Sequence, residues 1–341
     1  MLLYDFCSLE ESAILSPCGF YHFPGSEVEI RRSLCYNVRM NYLFVLQSIR
    51  EASPAFVNYF FLFVSEVMLK GAVVLVPVIY WCVSKHDGLA IGFSYIASYS
   101  INQTIKNIAC VPRPWLRDSR LHVDALAKKG ATGFSFPSGH TVTAASVFGG
   151  ICVWQRGKKR IAVLCVIMIV LTAFSRNWLG CHTLADVLSA ILVAAVSLCA
   201  VNLLIFWFSR HQDKDILICV FGIIISAVIL AAMTFKPYAA IENPYPLVTD
   251  CYTACGISCG MLLGWVMERR LVGFTTDVAR RTKILRAVSG ILVVVAVYLA
   301  SGALLSFLGD HFAHLVKYFL VFFVIIFVHP LAFTLIERRR K

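Results

Sequence analysis

The sequence predicts an all-α, polytopic helical membrane protein with about nine transmembrane helices. Three observations carry this. The 341 residues are 59% hydrophobic and only 15% charged, with a mean hydropathy of +0.76, whereas soluble domains average about 25% charged residues. Runs without Asp, Glu, Lys or Arg span 88–105, 187–209, 216–235, 251–267, 287–309 and 318–336. Each is at or near the roughly 20 residues that a helix needs to cross a bilayer. The runs are continuous rather than alternating. That selects helices over barrel strands, because in lipid every backbone polar group must be satisfied within the structure itself.

The elements follow in chain order. Residues 1–40 have no clear periodicity and read as an N-terminal arm, either poorly ordered or preceding a true start at Met40. Asp5, Glu10 and Glu11 stand where a cleavable leader would have a basic start and an apolar stretch, so no such leader is expected. An amphipathic segment then runs from Met40 to Ser53-Pro54. The apolar pieces 52–65 and 71–83 make the first span, and 88–105 the second. Runs at 141–155 and 161–175 become spans when extended by a few residues, and 187–209 is the fifth. Residues 41–210 thus form a core of five to six helices, which holds every unusual polar residue. Residues 211–341 add four more spans as an extension, with a turn-rich loop, "IENPYPLVTD", at 241–250.

The net charge of +12 could suggest nucleic acid, but its distribution argues for a membrane. More than half of the 31 Lys and Arg residues fall in alternate connections and at the C-terminal end: Lys85, Arg156 to Arg160, Arg210 and Lys214, Arg269 to Arg286, and the tail "RRRK". The positive-inside rule makes these loops cytoplasmic. The connections near 109–137, 176–182, 236–250 and 309–312 then lie on the non-cytoplasmic face.

The thirteen cysteines are scattered through apolar runs and read as small core residues rather than a disulfide framework. Cys251, Cys255 and Cys259 recur every four residues, but no partner histidine is near in sequence for a metal site. Gly256, Gly260 and Gly264 run beside them as a stripe for close helix packing. That stripe could equally seat a second copy of the protein in a homodimer.

Three polar islands interrupt the core. In "KNIACVPRP" (106–114), Lys106 ends an apolar helix and Pro112 and Pro114 stop it. Arg113 follows seven residues later, so the two cations can converge on one anion if the chain bends back. The alternative is a snorkelling lysine and a topogenic arginine. In "FSFPSGHT" (134–141), Ser138 precedes a helix as a natural N-cap. The same helix start, bare at Gly139, offers backbone N–H groups to phosphate oxygens. In "SRNWLGCHTLADV" (175–187), His182 and Asp186 are four apart, which predicts that they share one helix face. Asp186 can hold one ring nitrogen of His182 and leave the other as a nucleophile. Arg176 stands across a five-residue turn, with a fork suited to phosphate. Ionisable residues beside lipid are costly and usually functional. Alternating spans put all three islands on one side of the membrane. Every group suits phosphate, and no carboxylate cluster is present to hold a metal, so metal-independent phosphoryl transfer through a covalent histidine is expected, without a cofactor.

The ordered set K-x6-RP, PSGH and SR-x5-H-x3-D resembles the type-2 phosphatidic acid phosphatase (lipid phosphate phosphatase) superfamily, over about residues 41–210. The resemblance implies that His182 attacks phosphorus and that Asp186 orients it. His140 would protonate the leaving group and then activate water. Lys106, Arg113, Ser138, Gly139 and Arg176 would hold the phosphate oxygens. A phosphotransferase using the same intermediate and a non-enzymatic transporter are the alternatives. Polar residues gathered at helix ends on one side argue against a permeation path.

Overall fold

The computed structural model describes residues 27–155, 157–238 and 245–339, and every regular element among them is a helix. The expectations for residues 1–26, Arg156, the start of the 241–250 loop and the last two residues of the basic tail lie outside the described residues. Helix α1 is Glu27–Ala52 and α2 is Ala55–Val83. They are followed by α3 (Lys85–Ala109), the short α4 (Pro114–Arg117) and α5 (Ala125–Lys129), and α6 (Gly139–Trp154). Next come α7 (Lys159–Trp178), α8 (Leu184–Arg210) and α9 (Gln212–Thr234). The remaining helices are α10 (Tyr245–Met267), α11 (Arg280–Leu304) and α12 (Asp310–Arg338).

Two boundaries differ from the sequence reading. Residues 27–39 are helical, so the arm expected to residue 40 is already part of α1 at residue 27. Helix α10 opens at Tyr245, inside the expected 241–250 loop, because Pro246 suits a first helical turn, where its missing N–H costs nothing.

Among the described residues, six helices are long and apolar enough to cross a membrane: α2, α7, α8, α9, α11 and α12. The chain is therefore a multi-pass membrane protein. The other three of the nine expected spans are α3, α6 and α10. They fall short of that measure for visible reasons. Helix α3 carries Asn102, Gln103 and Lys106, α6 has only 16 residues, and α10 is rich in small and polar residues. These three sit centrally, α3 packing against α6, α8 and α10, while lipid-type side chains such as Leu192, Phe221 and Leu292 face outward from α8, α9 and α11.

The glycine stripe is filled from within the chain. A Cβ on Gly256 would lie 2.3 Å from the carbonyl oxygen of Leu315, and one on Gly260 2.4 Å from that of Phe319. Helix α12 occupies this groove, so it does not seat a second copy as the sequence allowed. Backbone approach of this kind needs residues without side chains, and it supplies packing where lipid offers no hydrophobic driving force.

Helix α12 closes onto α2 through a helix irregularity. A π turn at Val324–Val328 precedes His329-Pro330. Pro330 has no N–H to give to the carbonyl four residues back. The Tyr80 hydroxyl bonds that Ile326 carbonyl instead (3.1 Å), and the Trp81 indole N–H takes the Ile325 carbonyl (2.9 Å). At the same end, buried Glu268 pairs with Lys85 (2.6 Å) and accepts from the Phe274 N–H, while buried Arg286 pairs with Glu337 (2.7 Å). The extension is thus bolted to α2 and α3 at the end opposite the polar islands. Gly260→Ala is expected to lower stability by about 1–3 kcal/mol through overpacking against the Phe319 backbone. Thermal unfolding in detergent checks this, with Gly71→Ala, where a Cβ meets open space, as the unaffected control.

Candidate active site

Helix ends build the site. Helix α3 stops after Ala109 because Cys110 turns left-handed (φ 49°), its N–H closing on the Lys106 carbonyl, and two prolines follow. This leaves Lys106 in the last turn and Arg113 in extended backbone at the start of α4. Ser138 is the N-cap of α6, its hydroxyl accepting from the Thr141 N–H. Helix α7 ends at Trp178, Gly180 turns at φ 73°, and Thr183 caps α8 in a reciprocal capping box with Asp186.

The three islands converge. Lys106, Arg113, Gly139, His140 and His182 line one cavity of about 170 Å³. His182 precedes the α8 N-cap rather than sharing a helix face with Asp186, a correction to the i, i+4 reading. The capping box folds the Asp186 side chain back, so its Oδ2 still lies 3.5 Å from His182 Nδ1. The same oxygen accepts from the Thr183 N–H and the Ser135 hydroxyl, both at 2.7 Å. On the other edge of the ring, Arg113 Nη1 stands 2.8 Å from Nε2. A guanidinium only donates, so Nε2 presents its lone pair and the ring proton sits on Nδ1, toward Asp186. The Asn177 side chain fixes the His182 carbonyl at 2.8 Å.

The cations also hold the site's backbone. Lys106 Nζ donates to the Phe134 carbonyl (2.8 Å). Arg113 donates to the carbonyls of Thr132, Gly133 and Cys181. Burial pushes its guanidinium down to about 10, still charged at neutral pH. Arg176 is fully buried and lies behind the cavity lining, against the Ser65 hydroxyl and 3.7 Å from Glu66. Its Nε and Nη2 have no partner among the described residues. Ser138 is less available than its motif suggests. Its N–H is taken by the Asp186 carbonyl (3.0 Å), and its hydroxyl is engaged with Thr141. Gly139 is the part of that helix start that lines the cavity.

Three residues at the site escaped the sequence reading. Ser135, which bonds Asp186, lies inside the "FSFPSGHT" island and carries no sequence mark of its own. Glu66 lies 3.3 Å from His140 Nε2 and belongs to a π turn of α2, Val64–Met68. A lone carboxylate inside an apolar span was the available signal. Asp250, from α10, lines the cavity and accepts from the Thr132 hydroxyl (3.3 Å). Nothing in its local pattern points to the core.

Comparison with known proteins gives the family of the chain. Residues 87–210 match the PAP2 superfamily model, and residues 252–341 match the model for the transmembrane extension of PAP2 superfamily phosphatases. The chain belongs to the PAP2 superfamily, and its C-terminal helices, which the core motifs leave unexplained, are an extension of a known type. Among curated relatives, it is 35% identical over 126 residues to undecaprenyl-diphosphatase BcrC of Bacillus subtilis, covering 37% of this chain. It is 26% identical over 138 residues to phosphatidylglycerophosphatase B of the same organism, covering 38% of this chain. The matches span 60% of the length of each relative. No solved structure matches the chain.

Burial, and then the facing Arg113, hold the His182 ring well below the ordinary histidine value near 6.5. A depressed value means the ring stays neutral at pH 7 and gains its second proton only on acidification well past 6.5. Nitrogen-15 NMR of labelled histidine, assigned with His182→Gln, should show that ring neutral at pH 6; an imidazolium there contradicts the assignment.

Proposed function

We infer that the protein is an integral membrane phosphatase that hydrolyses the phosphate monoester or diphosphate of a lipid through a phosphohistidine, without metal. The observation that carries this is the His182 ring, buried, with Nδ1 toward Asp186 and the Nε2 lone pair toward a cation in a cavity lined by Lys106, Gly139 and His140. Phosphate enters between Arg113 and His182, and its oxygens take over the guanidinium bond that the ring holds in the free protein. Nε2 attacks phosphorus and the bond to the leaving oxygen breaks. Lys106, Arg113, Arg176 and the helix start at Gly139 hold the phosphoryl oxygens as charge moves onto them. The unpartnered Nε and Nη2 of Arg176 suit a bidentate grip. Asp186 steadies the positive ring. His140 gives a proton to the leaving group, then takes one from the water that cleaves the P–N bond.

The relatives named as a diphosphatase and a phosphatidylglycerophosphatase support the substrate class, with phosphatidic acid and sphingoid phosphates as further members to test. The basic connections at the far end of the bundle support an active site on the non-cytoplasmic face. Residues 41–210 would form the catalytic core and 211–341 the extension.

Purified protein with a chelator present should release phosphate from a panel of these lipids. His182→Ala should lose at least about 10³-fold in kcat/KM, and vanadate should inhibit. Equal release by the variant, or a need for added metal, contradicts the mechanism. Protein denatured in alkali during turnover should retain a phosphoryl label that acid removes, as a phosphohistidine does. In intact cells, an impermeant amine reagent should label Lys128 and Lys129 in the last turn of α5 if the site faces outward.

A further inference from the structure

Glu66 lies outside both segments matched by the family models, and the mechanism above makes no use of it. It is the carboxylate that faces the second histidine. Its Oε1 is 3.3 Å from His140 Nε2 and 3.7 Å from Arg176 Nη1. The π turn at Val64–Met68 brings both Ser65 and Glu66 to this spot: the Ser65 hydroxyl takes Arg176, and the Glu66 carboxylate spans Arg176 and His140. Widening one helical turn re-aims side chains, and such turns concentrate at functional sites.

His140 has a task that its other neighbours oppose. A general acid must carry its proton before the leaving group departs, yet Arg176 shares the Glu66 carboxylate with the ring and Arg113 lines the same cavity, two like charges close to it. The Glu66 carboxylate at Nε2 sets a negative charge beside the ring and fixes its orientation. Nδ1 is left without a partner among the described residues, on a ring that lines the cavity with His182. We propose that Glu66 is the positioning residue of the general acid: it holds His140 Nε2–H and steadies the imidazolium, so that the Nδ1 proton is delivered to the leaving oxygen. This rests on the reading of His140 as the acid. In the step, the His182 Nε2–P bond forms and the P–O bond breaks with its electron pair staying on oxygen. That oxygen takes the Nδ1 proton, His140 becomes neutral, and Glu66 remains ionised. The site therefore contains two histidine–carboxylate pairs, His182 with Asp186 and His140 with Glu66.

The test uses leaving-group dependence, which a merely structural role does not produce. Wild type, Glu66→Gln and His140→Asn are compared on dodecyl phosphate, whose alkoxide needs protonation, and on p-nitrophenyl phosphate, whose phenolate does not. The readout is kcat/KM, which reports steps up to departure of the leaving group. Glu66→Gln should lose about 10-fold or more on the alkyl ester, a share of the 10²- to 10⁴-fold that acid catalysis supplies. It should lose less than about 3-fold on the aryl ester, whose turnover also shows that the variant is folded. Adding Glu66→Gln to His140→Asn should cost nothing further on the alkyl ester. Equal losses on both esters, no loss on either, or additive losses in the double variant overturn the role of Glu66 alone. If His140→Asn itself shows no leaving-group dependence, the assignment of His140 as the acid fails and this inference fails with it.

Discussion

The site depends on one buried residue, Asp186, and on the number of groups it satisfies. Its side chain accepts from the Thr183 N–H and the Ser135 hydroxyl and faces His182, while its carbonyl accepts from the Ser138 N–H. One residue thereby joins the α7–α8 turn, the loop before α6 and the start of α8. A buried carboxylate is expensive unless its lone pairs are met. Here the bonds that meet them also fix where the histidine stands. The capping box that starts α8 and the orientation of the His182 ring have a common cause.

A second constraint is charge. Lys106, Arg113 and Arg176 are buried together, and unpaired ions cannot be kept in such a place. The protein meets two of them with backbone carbonyls. Lys106 and Arg113 tie down the 132–134 loop and the 181 carbonyl, so the residues that suit phosphate also brace the walls around it. Three carboxylates, Glu66, Asp186 and Asp250, complete the balance from three different helices. A pocket arranged this way holds cations at close range without collapsing onto one strong ion pair, and it leaves donors on Arg176 unclaimed.

Much of this was legible in the sequence, and the part that was not has a physical reason. Long apolar runs fix helices in lipid, so the order of spans followed from composition alone. Proline pairs and small N-cap residues marked helix ends, and alternation of spans then gathered Lys106, His140 and His182 on one side. Side-chain geometry was harder to read. The i, i+4 spacing of His182 and Asp186 suggested a shared helix face, yet the capping box starts the helix two residues after His182. Glu66 and Asp250 are distant in sequence from the motifs and reach His140 and the cavity, respectively, only through tertiary packing, which no local period encodes. The glycine stripe was legible as a packing seam, but its occupant, the chain's own α12, was not.

The bonds from Tyr80 and Trp81 to the carbonyls of Ile326 and Ile325 join residues 246 and 244 positions apart in the chain. During synthesis, α2 enters the bilayer long before α12 exists. Its tyrosine hydroxyl and indole N–H have these partners only once α12 is in place with its broken backbone. Helix α12 is therefore the element that completes α2, however far apart the two stand in the chain.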